Sequence, residues 1–348
     1  MSQEKKEPAR SIDYNFSKGL PERLTYFGVS LMLTTYQAGK LMVIRAGKNG
    51  TLSTLLRNFE RPMGIALDHC NLALGCRNQI WEFSNHSDIG AQPDDAHPID
   101  IYFTPIRSHV TGDIQIHEMV WTNEGLVFVN TRFSCLCSLS STHNFNPFWK
   151  PSFISEIKAE DRCHLNGIAI EKGRVRYVTA FGETNSKEGW RPGKTNNGIV
   201  IDVDSHQIIT RGLSMPHSPR LYKDRLWILN SGLGQLQVID IDTGKRQTIA
   251  VLPGFTRGLD FFGNYAVIGL SKIREKKSFG NLPIGQIGDD IKCAIAIVDI
   301  QTGKVADFIE FEDGCTEIFD VKVLLNYEYP SVVGLHKNTI DSLFVFTP

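Results

Sequence analysis

The sequence predicts an all-β fold of the β-propeller type, and three observations carry that reading. Strand–turn–strand units recur along the chain at intervals of about 40–60 residues. Two of them share nearly interchangeable segments, VIDIDTGK and IVDIQTGK, each closing on a Thr-Gly turn. Apolar stretches with helical spacing are scarce, which argues against alternating α/β architectures. Units of that length, each with about four short strands, pack on their neighbours around an axis.

The units are read in chain order. LPERLTYFGVSLMLTTYQAGK lies over MPHSPRLYKDRLWILNSGLGQ without a gap, so a first unit is expected near Glu22. RPMGIALDHCNLALGC begins the next at Arg61. IHEMVWTNEGLVFVNT, CHLNGIAIEKGRVRYVTA and PHSPRLYKDRLWILNS open units at His117, His164 and His217. TRGLDFFGNYAVIGLS places another at Arg257, and TEIFDVKVLLNYEYPSVVGLH a last, three-stranded one at Glu317. That count gives seven blades, with an N-terminal strand completing the last and protecting its edge. Six blades result instead if Glu22 opens a helix. Residues 1–19 are expected to be a polar tail and residues 20–348 one propeller domain.

Composition removes several functions. The 348 residues carry 37 basic and 38 acidic side chains, a net charge of −1, so nucleic acid and anionic membrane are not expected partners. No apolar run reaches the roughly 20 residues needed to span a bilayer, and the polar start lacks a signal-peptide core. Seven scattered cysteines without an export signal fit reduced thiols and a cytoplasmic location. Cys135 and Cys137 are expected on one side of a strand as small apolar residues. The oligomeric state is not legible in the sequence.

The chemistry concentrates at the start of the units. His117, His164 and His217 precede or begin innermost strands, and equivalent points around an axis converge. Three neutral imidazoles suit a divalent metal with open positions. Iron(II) is favoured over zinc, by analogy with propellers that hold iron through histidines alone. The expected function is therefore a metal-dependent oxygenase or hydroxylase acting on a peptide or protein. Alternatives are a non-catalytic interaction scaffold, and a zinc or metal-free hydrolase or lyase using channel glutamates and arginine. Arg257, Glu317 and Asn166 are candidate catalytic groups, as anion clamp, carboxylate and oxygen-orienting amide respectively. Glu22 is expected beside Glu317. Arg132, Trp190, Arg191, Arg220 and Asn230 are candidate substrate contacts, with Trp190 and Arg191 forming an aromatic and cationic lid.

The long insertions Glu183–Asn197 and Lys272–Asp290 follow second strands and should rise from the histidine face. A third long stretch, Asn85–Asp113, is assigned to no face. Familiar catalytic patterns are missing. GVSLM and GLSMP fail the G-x-S-x-G elbow at the last glycine. Pro192–Thr195 reads PGKT, but Glu188 stands where a P-loop needs glycine. SGLGQLQ lacks the third glycine of a dinucleotide fingerprint, and neither H-E-x-x-H nor a four-cysteine zinc pattern occurs.

The segments TTYQAGKL, FERPMGIAL, VNTRFSCL, EDRCHLNGIA, GLSMPHSPR and YAVIGLSKIRE resemble a bacterial family of conserved hypothetical propeller proteins, from about Gly28 to His336. Some members of that family are coupled to tetratricopeptide repeats. The resemblance implies a stand-alone propeller without such an extension, and it supplies no activity.

Overall fold

The computed structural model describes residues 12–87, 99–273, 281–335 and 340–346. The first eleven residues of the expected tail, residues 88–98 of the unassigned stretch and residues 274–280 of the second insertion lie outside them.

The described residues form six sheets, the blades of a propeller. Blade 1 runs outward through Ile65–Leu67, Asn71–Gly75, Gln79–Asn85 and Ile101–Val110, with Pro330–Val332 added in parallel at its outer edge. Blade 2 comprises Ile116–Thr122, Gly125–Asn130, Cys135–Ser138 and Asn146–Trp149. Blade 3 comprises Leu165–Glu171, Arg174–Ala180, Gly198–Asp202 and Ile208–Leu213. Blade 4 follows with Pro216–Tyr222, Arg225–Asn230, Gln235–Ile239 and Arg246–Val251. Blade 5 has Phe255–Phe262, Tyr265–Ser271, Ala294–Asp299 and Val305–Asp313. Its outer edge is paired with Asp13–Phe16, a strand inside the stretch expected to be a solvated tail.

The expected seven blades are six because the first and last units are one sheet. Blade 6 takes its innermost strand, Asp320–Leu325, from the C-terminal part and its other three, Val29–Thr35, Lys40–Ala46 and Leu52–Asn58, from the N-terminal part. The segment read as the first unit's innermost strand is instead the helix Leu20–Phe27. Pro21 suits its first turn and Gly28, at φ 59°, ends it in a left-handed cap. Leu20 and Leu24, four apart, bury one face against the blade 5–blade 6 core. Glu22 is exposed on that helix, away from the channel.

Each innermost strand touches the next, and Asp320–Leu325 touches Ile65–Leu67, so the ring closes. The junctions repeat a device in which a side chain near the axis accepts a hydrogen bond from the neighbouring blade's backbone. Glu118 takes Ile168 N at 2.9 Å, Ser218 takes Gly258 N at 3.1 Å, Asp260 takes Val323 N at 2.8 Å and Asp320 takes Ile65 N at 2.9 Å. These bonds satisfy amides that a blade edge would otherwise leave buried and unpaired.

Between blades the core is apolar. In the blade 4–blade 5 layer, Trp227 packs on Phe261 at 5.4 Å and donates its indole N–H to Tyr222 O at 3.0 Å. Trp227→Ala is expected to lower the unfolding free energy by about 3–5 kcal/mol, measured by denaturant titration. A loss below about 1 kcal/mol would show that this layer does not bear on stability. Cys135 and Cys137 lie buried on one side of their strand, with Sγ atoms 3.5 Å apart.

Candidate functional site

The three histidines meet at one mouth of the channel. They line a cavity of about 530 Å³ together with Arg132, Trp190, Arg191, Arg257 and Glu317. The first insertion lines it through Trp190 and Arg191, and Leu282 and Ile284 of the second pack beside it, sharing an apolar cluster with Trp190, Phe181, Met215 and Phe255. The insertions therefore rise from the histidine face, as their positions after second strands require.

The histidines are not all in register. Ile116, Leu165, Pro216 and Phe255 pair with Asn130, Ala180, Asn230 and Ser271, the last residues of the second strands. The following residues are His117, Asn166, His217 and Thr256. His117 and His217 are thus equivalent, and their rings lie nearly parallel at 21° with centres 6.5 Å apart. His164 comes from the loop two residues ahead of Asn166, at a left-handed φ of 50°. Arg257 stands one residue past the histidine position. Gln115 at φ 56° and Met215 at φ 47° make the same left-handed turn two residues before their histidines.

Every imidazole is oriented through Nδ1. His117 Nδ1 donates to Gln115 O at 3.0 Å and lies 2.8 Å from Thr131 Oγ1, whose own proton goes to Leu165 O at 2.6 Å. His217 Nδ1 is 2.9 Å from both Met215 O and Ser231 Oγ. His164 Nδ1 donates to Asp161 at 2.9 Å, and the same carboxylate oxygen accepts Trp190 Nε1–H at 3.0 Å. Partners that can only accept at Nδ1 leave the lone pair of a neutral ring on Nε2. The Nε2 atoms of His117 and His164 then face each other at 3.2 Å.

Two nitrogen lone pairs at that separation repel unless a proton or a cation lies between them. Burial first, then the His164 ring and the Arg257 guanidinium, hold His117 well below the usual imidazole range. Burial, then Arg257 and His164, do the same to His217. The unfolded chain therefore binds more protons than the fold below pH 6.5, the ordinary imidazole value. Stability of the metal-free protein is present above that pH and declines as pH falls. The slope is about 1.4 kcal/mol per pH unit for each imidazole. Thermal unfolding between pH 7.5 and 5.5 measures it, and His117→Gln is expected to flatten the slope; an unchanged slope would show that His117 protonates freely in the fold.

The 3.2 Å spacing fits two ligands of one ion, for which bonds of about 2.1 Å give separations of about 3.0–3.4 Å. Among the described residues no three His, Cys, Asp or Glu side chains already stand in a ligating arrangement. His217, the more distant ring, would have to move inward to join.

Arg257 lies over the Phe319 ring at 3.4 Å and 3.6 Å from Glu317, between the imidazoles and blade 6. Trp190 is buried at 2 % exposure, so its side chain packs into the cavity wall, with Arg191 stacked on it at 4.6 Å and paired to Glu188 at 2.9 Å. Three candidates lie elsewhere. Asn166 turns into the wall, accepting Thr179 Oγ1–H at 2.7 Å, and lines a small space beneath the imidazoles. Arg220 points down the channel, paired with Glu118 and donating to Ile168 O at 3.1 Å. Asn230 accepts Ser214 N–H at 2.7 Å and belongs to the blade 4 framework. A side chain's position in a strand did not show which way its amide or guanidinium would find partners.

The residues that orient the imidazoles escaped sequence reasoning. One signal was present: Thr131 and Ser231 each follow their histidine by 14 residues, after the Asn that ends the second strand. Asp161 had no such counterpart.

Comparison with known proteins gives a fold and a family. No curated protein matches the chain. A chain from a crystal structure of a nidogen/laminin complex is similar at TM-score 0.53 and 10% identity, over 86% of this chain and 99% of that one. A protein of unknown function from Bacteroides caccae is similar at TM-score 0.52 and 10% identity, over 85% and 98%. At such identities the likeness concerns the propeller alone. The family model described as Domain of unknown function (DUF4915) matches residues 18–333, and the chain belongs to that family.

Proposed function

We propose that the channel mouth is a divalent-metal site held by Nε2 of His117, His164 and His217, and that the protein is a metal-dependent enzyme. The observation that carries this reading is the pair of Nε2 atoms facing each other at 3.2 Å with both Nδ1 atoms already committed. A ring bound through Nδ1 to a carbonyl, hydroxyl or carboxylate is the arrangement that aims the other nitrogen at a metal. Iron(II), favoured over zinc, would supply dioxygen activation at such a site, and zinc would supply water activation. Of the chain's own groups, Asp161 fixes His164 and Trp190 together, and Phe181 stacks on the His164 ring at 4.3 Å and holds its plane. A peptide or protein substrate suits a mouth of this breadth.

The deciding experiment is elemental analysis of protein purified without a histidine tag, before and after incubation with iron(II) or zinc under argon. One bound ion per chain is expected, with His164→Ala lowering affinity at least about 100-fold and Asp161→Asn about 10–100-fold. Protein that takes up no metal under either condition would leave the site without this function.

A further inference from the structure

On blades 1 and 2 the cavity is lined by Arg61, Arg77 and Arg132 against a single acid, Asp113, whereas the acids towards blade 3 are already committed. Asp161 is held by His164 and Trp190, Glu160 by Arg162 at 2.8 Å, and Glu188 by Arg191 at 2.9 Å. Of the arginines on blades 1 and 2, Arg77 is paired with Glu60 at 3.0 Å, and Arg61 and Arg132 are less engaged. Arg61 is exposed at the rim and rests on the face of Tyr36 at 5.7 Å. Tyr36 in turn stacks on Phe319 at 5.8 Å, so the guanidinium sits at the end of a rigid aromatic wall. Arg61 also holds a left-handed φ of 48°, a conformation that favours glycine. Arg132 has only a long pairing, Nη2 to Asp113 at 3.7 Å, and its buried Nε has no hydrogen-bond partner among the described residues. Both side chains line the same cavity as the histidines.

We infer that Arg61 and Arg132 form an anion subsite, so that the cavity takes an acidic ligand whose carboxylate or phosphate docks on blades 1 and 2. Guanidinium groups present paired N–H donors that match either oxyanion, and stacking on an aromatic face fixes the plane in which they are offered. That this ligand is also the substrate rests on the metal-site reading above; the anion subsite itself does not. An acidic substrate held there extends across the cavity towards the imidazoles, which stand on blades 2, 3 and 4.

The full chain, metal-free and then metal-loaded, is titrated calorimetrically with glutarate, with inorganic phosphate, and with neutral glutaramide. Binding of glutarate or phosphate but not glutaramide is expected, and which anion binds decides between the two sources of charge. Arg61→Gln and Arg132→Gln should each weaken that binding at least tenfold, whereas Arg225→Gln, outside the cavity, should leave it unchanged. Gln at position 61 keeps the same backbone demand as Arg, and circular dichroism verifies that the variants fold. Anion binding that persists in His164→Ala while neither protein holds metal would retain the subsite and discard the metal. Failure of both anions to bind the unaltered protein, or equal binding in the Arg61→Gln/Arg132→Gln double variant, overturns the inference.

Discussion

A chain that stops after Phe319 is expected not to fold. Such a chain lacks Pro330–Val332 at the outer edge of blade 1 and, above all, Asp320–Leu325, the innermost strand of blade 6, which pairs with Val29–Thr35 from Thr34↔Asp320 to Val29↔Leu325. That innermost strand also contacts the innermost strands of blades 5 and 1. Its loss would uncover Leu31 and Leu33 of blade 6, Ile65 of blade 1 and the apolar faces packed on Val321 and Val323. Each fully buried Val or Leu contributes about 1.5–3 kcal/mol, so removing Val321, Val323 and Leu324 together approaches a typical whole-domain stability of about 5–15 kcal/mol. Asp320 adds the stitch to Ile65 N, and the ring would be left open at two unpaired edges. Far-ultraviolet circular dichroism and thermal scans test the claim. A truncated chain with a cooperative transition like that of the full chain would mean that the ring does not need this strand.

Arg220→Met is expected to destabilise the protein by about 3–5 kcal/mol, because it strands a buried carboxylate. Glu118 and Arg220 pair below the imidazoles with side-chain exposures of 5% and 14%. Glu118 also accepts Ile168 N at 2.9 Å, and Arg220 donates to Ile168 O at 3.1 Å and Pro219 O at 2.8 Å. The pair thus joins blades 2, 3 and 4 at one point. Glu118→Leu should cost a similar amount, leaving a buried guanidinium and an unpaired amide. The double variant should cost clearly less than the two singles combined, since neither charge is then left alone. Denaturant titration of the four proteins measures the coupling, and simple additivity would mean that the two groups do not depend on each other.

Much of the fold was legible because blade strands obey a local rule. Turn chemistry and alternating apolar positions mark where a strand starts and stops, and VIDIDTGK and IVDIQTGK announced equivalent third strands of blades 4 and 5. The blade count was harder. Val29–Thr35 reads as a second strand and is one, so the sequence ahead of it invited an innermost strand. Leu20, Leu24 and Phe27 are spaced for a helix, but eight residues give that signal little weight beside a gapless match.

The site divides in the same way. His117 and His217 shared a unit position and proved to be equivalent. His164 stands two residues off that register, and a left-handed turn brings it back to the cluster. Asn166, Arg220 and Asn230 lay close to ring positions in the sequence, but hydrogen bonds within the blades hold Asn166 and Asn230 out of the cavity, and bonds across blades hold Arg220 out.

By itself, the sequence determined the strands, their turns, and the fact that imidazoles from three successive units approach one face. Those features depend on contacts between residues near in the chain, which local spacing encodes. Only the tertiary structure decided that the chain ends share one blade, that the three Nδ1 atoms are committed, and that Arg61 joins Arg132 and Arg257 in lining the histidine cavity. Such facts depend on groups brought together across the ring, where burial and the search for hydrogen-bond partners fix each side chain's direction.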